Sequence, residues 1–293
     1  MELLAHAKQH LLGLLFVGLV FYVIERVMGA RRRPGYFRPG MLTDTAYFFT
    51  VAFFKQASRV LFIFPFIILV IAGVTTGEEA KAGQYHGFGP VAAQPAWLQA
   101  LEIYLLIDFL DYWLHRLFHT GAWWPFHAVH HSSEDLDWLS AVRVHPVNEA
   151  VNKIAPAVPI LFLGFDPTVT VGVTGFLTFY AIFLHADVDW DFGPLRSVIA
   201  TPVFHRWHHS KDPAAIDKNF ASFLPLWDIL FGTHYMPKGR KPEDFGIHEP
   251  VEHTVLGLLK HPFKPSSAGF GQNQTTPPPL PRQTPDKSTE PET

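Results

Sequence analysis

Residues 105–131, LLIDFLDYWLHRLFHTGAWWPFHAVHH, decide how the chain is organised. The stretch holds two groups of histidines: His115 and His119, then His127, His130 and His131. Each residue turns an α-helix by about 100°, so positions i, i+3 and i+4 share one face. If these segments are helical, each group points its imidazoles at one place. Imidazole is a common ligand for zinc, copper, nickel and iron, so the spacing predicts a metal site.

A near copy of the second group lies further along the chain. Residues 204–210, FHRWHHS, repeat the form of residues 126–132, FHAVHHS, and add three histidines: His205, His208 and His209. The three groups together hold eight of the 17 histidines. Four imidazoles close a zinc site, so eight exceed what one ion uses. We therefore predict two metal ions in one shared pocket, and the fixed spacings argue against a low-specificity histidine tract.

Composition limits the other ligands and partners of this protein. No cysteine occurs among the 293 residues, so any metal must be held by histidines and carboxylates. The formal net charge is −3 at pH 7. A nucleic-acid partner therefore has no electrostatic support, and we expect none.

The apolar residues occur in long runs, which predicts membrane helices. Residues 10–30 are long enough to approach the thickness of a bilayer, and an Arg-Arg-Arg sequence follows where a signal peptide would need small residues. This favours an uncleaved membrane helix, with the basic connector 31–38 in the cytosol by the positive-inside rule. Residues 44–75 are long enough to cross again, and residues 75–95 form an outer loop with little basic content.

The histidine-bearing part of the chain continues this topology. Residues 97–119 are predicted to cross back, which brings the first histidine pair out on the cytosolic side. Residues 150–185 predict a helical hairpin broken at residues 164–167, GFDP, which either spans the membrane as a pair or dips partway and returns. In both cases His185 returns to the side of the other histidines.

These segments predict an all-α integral membrane protein with about four to five membrane helices and a cytosolic, histidine-rich helical cap. The expected domains are residues 1–96 (membrane helices and outer loop), residues 97–262 (catalytic domain) and residues 263–293 (disordered, proline-rich tail). The tryptophans expected as interfacial anchors, or in part as the lining of a lipid tunnel, are Trp123, Trp124, Trp138, Trp190 and Trp207.

Two carboxylates precede the first histidine pair on the same predicted helix. Asp108 and Asp111 fall within about 80° of that pair on a helical wheel. A carboxylate at membrane depth costs about 2.5–3.5 kcal/mol on insertion scales. Metal-bound imidazole commonly donates its second N–H to a carboxylate. Asp108 and Asp111 are therefore predicted to hydrogen-bond the ligands or, alternatively, to bind metal directly, to pair with Arg116 or to cap a polar contact between helices.

The three histidine groups resemble those of the fatty acid hydroxylase and sterol desaturase superfamily of membrane non-haem di-iron enzymes. The pattern of that family is HxxxH, then HxxHH, then a second HxxHH, which here fall at residues 115–119, 127–131 and 205–209. The flanking sequences that also resemble the family are residues 108–113, 140–146, 219–220 and 227–233. The resemblance covers roughly residues 97–236, and three ordered motifs make it specific.

The resemblance adds His185 as a ninth ligand, because family members usually carry His-x-Asn there. Here Asp187 replaces the Asn and could alter the hydrogen bonding of His185 or bind metal itself. Asn148 stands where a Glu often follows the His-Pro pair, and His145 of that pair is either a peripheral ligand or a hydrogen-bonded core histidine. The residues expected around the ligands are Asp108, Asp111, His145, Asp187 and Asp228.

The resemblance implies activation of O₂ at two irons and oxidation of an unactivated C–H bond in a lipid. Removal of one hydrogen followed by addition of oxygen gives an alcohol, while removal of a second hydrogen gives an alkene, so hydroxylation and desaturation both stay open. Sterols, fatty acids and related lipids all fit an apolar entrance. We expect no catalytic residue beyond the metal centre, because the oxidising power belongs to the metal and O₂.

Electrons are expected from a separate protein. The sequence has no His-Pro-Gly-Gly haem signature, no nucleotide-binding fingerprint and no cysteines for an iron–sulfur cluster. A ferredoxin, a cytochrome or a reductase that docks on the cytosolic face is therefore implied. In a bacterium the expected location is the inner membrane.

Two other classes of protein stay open as alternatives. A membrane metal transporter places its histidines and aspartates in the middle of its spans, whereas here the histidines follow the third predicted span. A metallohydrolase needs a Glu or Asp base beside an open metal position, but Arg116 stands where the zinc-protease helix has Glu. Two irons per chain favour the oxygenase, and one zinc or loosely exchanging ions favour the alternatives.

Overall fold

The computed structural model of the chain describes residues 2–29, 37–58 and 86–264, with a few positions between 67 and 78. These residues form α-helices, 3₁₀ turns and loops. Within them the β contacts are two isolated bridges, from Gly29 to Val188 and from Ser210 to Phe245. The all-α prediction is therefore confirmed for this part of the chain. Predictions that fall mainly outside the described residues are the basic connector, the centre of the second apolar run and the disordered tail.

The helices used below are α1 (Glu2–Met28), α2 (Met41–Ser58), α3 (Gly89–Ala92), α4 (Ala96–Phe118), α5 (Trp124–His131), α6 (Pro146–Leu163), α7 (Pro167–His185), α8 (Pro202–His208), α9 (Leu226–Leu230) and α10 (Val255–Lys260). Short 3₁₀ turns lie at Gly121–Trp123, Ser140–Val142, Gly193–Ser197 and His261–Phe263.

Helices α6 and α7 form the predicted hairpin, and its break follows from three residues. Gly164 ends α6 in the left-handed region at φ 78°, where a Cβ would lie 2.3 Å from the carbonyl oxygen of Phe88. Asp166 caps α7 by accepting a hydrogen bond from the Thr168 N–H, and Pro167 takes the first helical position. The turn brings the end of α7 back to the level at which α6 begins.

Helix α4 packs against both helices of the hairpin. One apolar cluster joins Ile103 and Ile107 of α4 to Ile160 of α6 and to Phe165 in the turn. A second cluster joins Tyr112 of α4 to Leu184 of α7, and its other buried members are Ala200, Phe204, Phe220 and Ala221. The C-terminal ends of α4 and α7 therefore meet α8 at one end of the helix bundle, where the histidines lie.

Helix α1 also contacts the histidine-bearing region. The ring of Phe21 stacks on Trp138 at a centroid distance of 6.1 Å. The Glu25 carboxylate accepts hydrogen bonds from the backbone N–H groups of Trp138 and Asp187. These contacts join α1 to the loop after α5 and to the residues that follow α7.

The prediction that the tryptophans are interfacial anchors is wrong for three of them. Trp124, Trp138 and Trp207 are each 5% exposed or less, so they belong to the protein interior. Large aromatic rings bury more apolar area between packed helices than they would at an interface. Trp123 is 37% exposed and Trp190 is half-buried, so the prediction stays open for these two.

Two helices in the described part of the chain are long and apolar enough to cross a membrane: Leu11–Met28 within α1, and Pro167–His185. The count of four to five spans stays a prediction. Helix α4 has 23 residues but carries four charged side chains, Glu102, Asp108, Asp111 and Arg116. Its exposed face nevertheless bears an apolar stripe with a spacing of four residues: Trp97, Leu101, Leu105, Phe109, Trp113 and Leu117.

Candidate metal centre

The nine histidines predicted as ligands lie together in two groups. The five-histidine group is His115, His119, His127, His131 and His208. The four-histidine group is His130, His185, His205 and His209. Within each group the ligand nitrogens lie within 4.8 Å of one another, and every member is a histidine. Their arrangement matches the predicted pair of ions, one for each group.

The two groups share one pocket. The rings of His131 and His209, one from each group, stack with their centroids 4.3 Å apart and an interplanar angle of 25°. The ring of His127 lies 5.4 Å from that of His130, and these two rings also come from different groups. Imidazoles of both groups therefore pack directly against each other, and no protein layer separates the two sets of nitrogens.

Each HxxHH motif is divided between the groups, which differs from the prediction that one motif points at one place. In α5, His127 and His131 join the five-histidine group and His130 joins the other. In α8 the division is reversed: His205 and His209 join the four-histidine group, and His208 joins the five-histidine group. Residues four apart on a helix keep nearly the same direction, whereas the third histidine points to one side of that pair.

The helices that carry the histidines begin or end at residues that favour helix termini. Pro125 lies in the first turn of α5, and Pro202 starts α8 after the cap residue Thr201. The Thr201 hydroxyl accepts a hydrogen bond from the Phe204 N–H. His119 is the C-terminal cap of α4, and His185 is the last residue of α7. Both histidines therefore project where the helical backbone ends.

Backbone carbonyls orient two ligands of the five-histidine group. The Nδ1 of His115 lies 2.7 Å from the Phe220 oxygen, and the Nδ1 of His208 lies 2.7 Å from the Lys218 oxygen. A carbonyl oxygen only accepts, so each Nδ1 must carry the proton. Each Nε2 is then left with a free lone pair, which is the form that binds a metal.

Side-chain oxygens orient two further ligands of this group. The Nδ1 of His127 lies 2.7 Å from Oδ1 of Asn148, and the Nδ1 of His119 lies 3.0 Å from Oδ1 of Asp217. As a carboxylate, Asp217 accepts a hydrogen bond from the Nδ1–H of His119 and increases the basicity of the opposite nitrogen. The buried Nε2 atoms without a hydrogen-bond partner include those of His115, His119, His127, His131 and His208.

Two members of the four-histidine group show the same orientation. His130 donates its Nδ1–H to the Arg143 carbonyl at 3.2 Å, and His185 donates its Nδ1–H to the Ala181 carbonyl at 2.8 Å. Both Nε2 atoms therefore lack a proton, yet they lie 3.1 Å apart. The Nε2 of His205 lies 3.0 Å from that of His185.

Two lone pairs that face each other at this distance repel unless a cation lies between them. Nitrogens on one ion at about 2.0–2.1 Å are separated by roughly 3 Å, so the observed spacing fits a shared metal. The orphaned Nε2 atoms of the five-histidine group fit a second ion for the same reason. The residues present therefore fit two metal ions.

Burial keeps the imidazoles outside the predicted spans neutral. It holds the pKa far below the ordinary value of 6.5, and neighbouring imidazoles lower it further, for His127, His130, His131, His205, His208 and His209. A neutral imidazole is the metal-binding form, so the buried pocket already supplies its ligands without loss of a proton.

Comparison with known proteins supports this reading of the site. Residues 100–233 match the model of the fatty acid hydroxylase family. This segment is similar to the domains of that family. Its bounds contain all nine histidines of the two groups.

The curated relatives of the chain are lipid enzymes by name. The chain is 33% identical over 171 residues to the ornithine lipid hydroxylase of Rhizobium tropici, covering 57% of this chain and 52% of the relative. It is 34% identical over 172 residues to the alkylglycerol monooxygenase of Danio rerio, covering 57% and 37%. It is 36% identical over 131 residues to the alkylglycerol monooxygenase of Homo sapiens, covering 44% and 29%. The chain therefore spans about half the length of these relatives or less, and no solved structure matches it.

Within residues 100–233, the predicted carboxylates act on the loop that carries the acceptors. Asp108 accepts hydrogen bonds from Leu224 N–H and Trp227 Nε1–H, and these bonds do not lead to an imidazole. Asp228 accepts from the N–H groups of Phe220 and Ala221. A helical wheel shows the direction of a side chain around the helix axis but not its position along the axis. Asp108 lies seven residues before the nearest predicted ligand, which is roughly 10 Å along the axis.

The other predicted neighbours of the ligands have different partners. Asp111 is half-buried beside Lys153 and Glu149 of α6, and Arg116 donates to the Tyr112 hydroxyl. Among the described residues, neither Asp108 nor Asp111 belongs to either ligand group. The alternatives of direct metal binding and of an ion pair with Arg116 are therefore not seen.

His145 and Asp187 both lie outside the two groups. The Nδ1 of His145 accepts from the Val147 N–H, and its Nε2 lies 3.3 Å from the Leu259 carbonyl. Both nitrogens are engaged, which matches the core-histidine alternative. Asp187 pairs with Arg206 at 2.8 Å. The Asp187 carboxylate is thus held away from the metal centre by the guanidinium.

Two side chains that accept hydrogen bonds from the histidines, Asn148 and Asp217, could not be identified as acceptors from the sequence. In the sequence, Asn148 stands out only as a departure from the family pattern, and no motif marks Asp217. Asp217 lies in a loop and has a positive φ of 56°. No spacing rule connects either residue with the histidine that it contacts, because the contacts form only when separate segments pack together.

Proposed function

We propose that the chain is a membrane-bound di-iron oxygenase that hydroxylates or desaturates a lipid with O₂ and external electrons. The observation that carries this proposal is the convergence of nine histidines, seven buried and two half-buried, in two adjoining groups whose metal-facing nitrogens lack protein partners or face one another. Imidazole suits iron, and two adjacent ions suit a reaction that needs more than one electron. Two bound irons would supply activation of O₂ and removal of hydrogen from an unactivated C–H bond.

Residues of the protein itself would hold and orient the irons. The carbonyls of Phe220, Lys218, Arg143 and Ala181 fix the tautomers of four ligands, and Asn148 and Asp217 fix two more. Because the tautomer is fixed, the Nε2 lone pair of each of these histidines is already directed into the pocket before metal binds. The ligands then need little rearrangement when metal binds.

Aromatic side chains would keep water away from the reacting atoms. The ring of Phe220 lies against His115, His119 and His208 at centroid distances of 5.6, 5.0 and 5.7 Å. The ring of Trp124 covers His119 from another side at 5.1 Å. A dry pocket protects reactive species from side reactions, so this packing supports oxidation chemistry.

A lipid is the substrate class that the surroundings support. The relatives' names denote a hydroxylase of ornithine lipids and monooxygenases of alkylglycerols. Helix α7 is apolar enough to cross a bilayer and ends at the ligand His185, so an acyl chain beside α7 would reach the pocket without leaving an apolar environment. Hydroxylation and desaturation both begin with removal of the same hydrogen, so both products fall within the proposal.

The topology belongs to the proposal as well. Helix α4 and the α6–α7 hairpin would join α1 in the membrane, with the histidines in a cap on the cytosolic face. A separate ferredoxin, cytochrome or reductase would then deliver electrons from the cytosol. The exposed apolar stripe of α4 favours contact with lipid, although the helix also carries four charged residues.

The alternatives find less support in the site. A metallohydrolase needs a carboxylate base beside the metal, and among the described residues neither ligand group contains a carboxylate. A metal transporter would place its ligands along the middle of its spans. Here the ligands lie at the ends of α4 and α7 and in the short helices α5 and α8.

Purified protein in detergent and a lipid comparison test the proposal together. We expect about two irons per chain by elemental analysis, and a lipid gaining one oxygen or losing two hydrogens by mass spectrometry when the gene is expressed. Protein that holds zinc instead of iron, or cells whose lipids do not change, would contradict it.

A further inference from the structure

Four charged side chains form a buried network beside the four-histidine group: Arg38, Asp44, Asp137 and Arg143. Arg38 bridges the two carboxylates, with contacts of 2.6 Å to Asp44 and 2.6 Å to Asp137. The Nε of Arg143 donates to Oδ1 of Asp44 at 2.5 Å. The side chains of Asp44 and Arg143 are 0% and 2% exposed, so the buried Arg143 guanidinium is neutralised by Asp44, which also pairs with Arg38.

Arg143 connects this network to the metal centre through both its backbone and its side chain. Its carbonyl accepts the Nδ1–H of His130 at 3.2 Å. Its Nη1 donates at 3.3 Å to the hydroxyl of Ser132, which directly follows the ligand His131. The position of the Arg143 backbone therefore sets the direction in which His130 presents its Nε2.

The connector before α2 approaches Arg143 closely because it contains a glycine. Gly40 has a φ of 80°, which L side chains rarely adopt, and a Cβ there would lie 2.6 Å from Nη2 of Arg143. A side chain at this position would push the guanidinium away from Asp44. The local backbone thus allows the ion pair to form.

We infer that Asp44 is a positioning residue for the four-histidine group and acts through Arg143. By fixing the guanidinium, Asp44 holds the carbonyl that receives the His130 proton. Asp44 and Arg38 lie outside residues 100–233, the segment that matches the family model, so the N-terminal helices contribute to the metal centre as well as to the membrane anchor. This inference rests on the proposed metal centre.

Loss of Asp44 should affect the two histidine groups differently. The acceptors that orient the five-histidine group are Phe220, Lys218, Asn148 and Asp217, and none of them belongs to the four-charge network. Loss of Asp44 should therefore loosen His130 and the four-histidine group more than the other group, which the network approaches through the Ser132 hydroxyl beside His131. A general loss of stability would instead affect both groups.

The first test compares the Asp44→Asn variant of the full chain with Asp212→Asn, purified in detergent. Asp212 also pairs with an arginine, Arg240 at 2.5 Å, but on the exposed cap. We expect iron to fall from about two to about one per chain in Asp44→Asn, with a changed iron spectrum, and to stay near two in Asp212→Asn. An Asp44→Asn protein that keeps both irons, or loses both in parallel, would overturn the inference.

A second pair of variants decides the matter if Asp44→Asn does not fold. Gly40→Ala brings a methyl group against the Arg143 guanidinium, whereas Gly89→Ala imposes similar backbone strain, at φ 69°, with nothing within 4 Å of the new Cβ. We expect partial loss of one iron in Gly40→Ala alone. Equal iron content in the two variants would refute the inference. Wild-type protein without iron would instead refute the proposed function.

Discussion

The carboxylate oxygen Oδ1 of Asp217 lies 3.0 Å from Nδ1 of His119, although 98 residues separate them in the chain. The sequence placed the supporting carboxylates on α4 itself, at Asp108 and Asp111. The structure places a loop carboxylate there instead, because Asp108 lies about two turns before His115 and Asp111 lies beside Lys153 and Glu149 of α6. The Asp217–His119 pair therefore has the form of a carboxylate–histidine–metal triad.

Replacing Asp217 tests whether this support matters for the metal. We expect Asp217→Ala to weaken metal binding by about 10- to 100-fold, because His119 loses the acceptor that fixes its tautomer. Asp217→Asn keeps an acceptor oxygen and should lose less. Metal affinity is measured by competition with a chelator. Equal affinities for wild type and Asp217→Ala would show that His119 is oriented without Asp217.

Removing one ligand from each group tests the assignment of the centre. We expect His130→Ala and His208→Ala each to abolish lipid oxidation while the protein still inserts in membranes, because each group loses one of its converging nitrogens. The matched control is His253→Ala, since His253 is exposed and lies outside both groups. Product formation is measured by lipid mass spectrometry, and turnover that survives in both ligand variants would refute the assignment.

The buried histidines predict an acid-labile protein in the absence of metal. Burial depresses the folded-state pKa of ligands such as His130 and His209 well below 6.5. The folded state then binds fewer protons than the unfolded state. The contribution of these neutral histidines to the free energy of unfolding is therefore present above pH 6.5 and is lost as the pH falls below that value. We expect the melting temperature of metal-free protein to fall between about pH 7.5 and about pH 5. A melting temperature that is constant across this range would contradict the neutral, buried assignment.

Asp228 predicts a large effect on stability through the acceptor loop. Its carboxylate accepts from the N–H groups of Phe220 and Ala221 at 2.8 Å each and from the Thr233 hydroxyl at 2.6 Å. Asp228→Ala leaves these buried donors unpaired, so we expect a loss of about 3 kcal/mol or more in the free energy of unfolding. Asp228→Asn keeps one acceptor oxygen and should cost less. Detergent-phase thermal unfolding of the two variants provides the measurement, and indistinguishable melting curves for wild type and Asp228→Ala would count against this role.

The local pattern of the chain was sufficient for eight of the nine histidines and for the hairpin, whereas His185 was expected from the family resemblance. Histidines at spacings of three and four must share a helical face, and Gly164, Asp166 and Pro167 must end one helix and begin the next. These consequences depend on backbone geometry within one or two turns. They hold whatever the rest of the chain does, which is why residues could be named before the fold was known.

Such local rules could not predict how each HxxHH motif divides between the two groups. His130 joins His185 and His205, and these residues come from three separate helices. A helical wheel shows that His130 points to one side of the pair formed by His127 and His131, but not what meets it there. The same limit hid the burial of Trp124, whose ring packs against His119 and whose N–H reaches Glu249.

The sequence by itself determined which nitrogen donors the protein has and that short helices present them. Only the tertiary structure decided which donors share an ion and which oxygens hold their protons. Donor spacing is a property of one helix, while the contacts of Asp217, Asn148 and Arg143 with their histidines require separate segments to be packed at a defined distance. Periodicity carries information about direction around a helix axis, and the metal centre depends on distances between different axes.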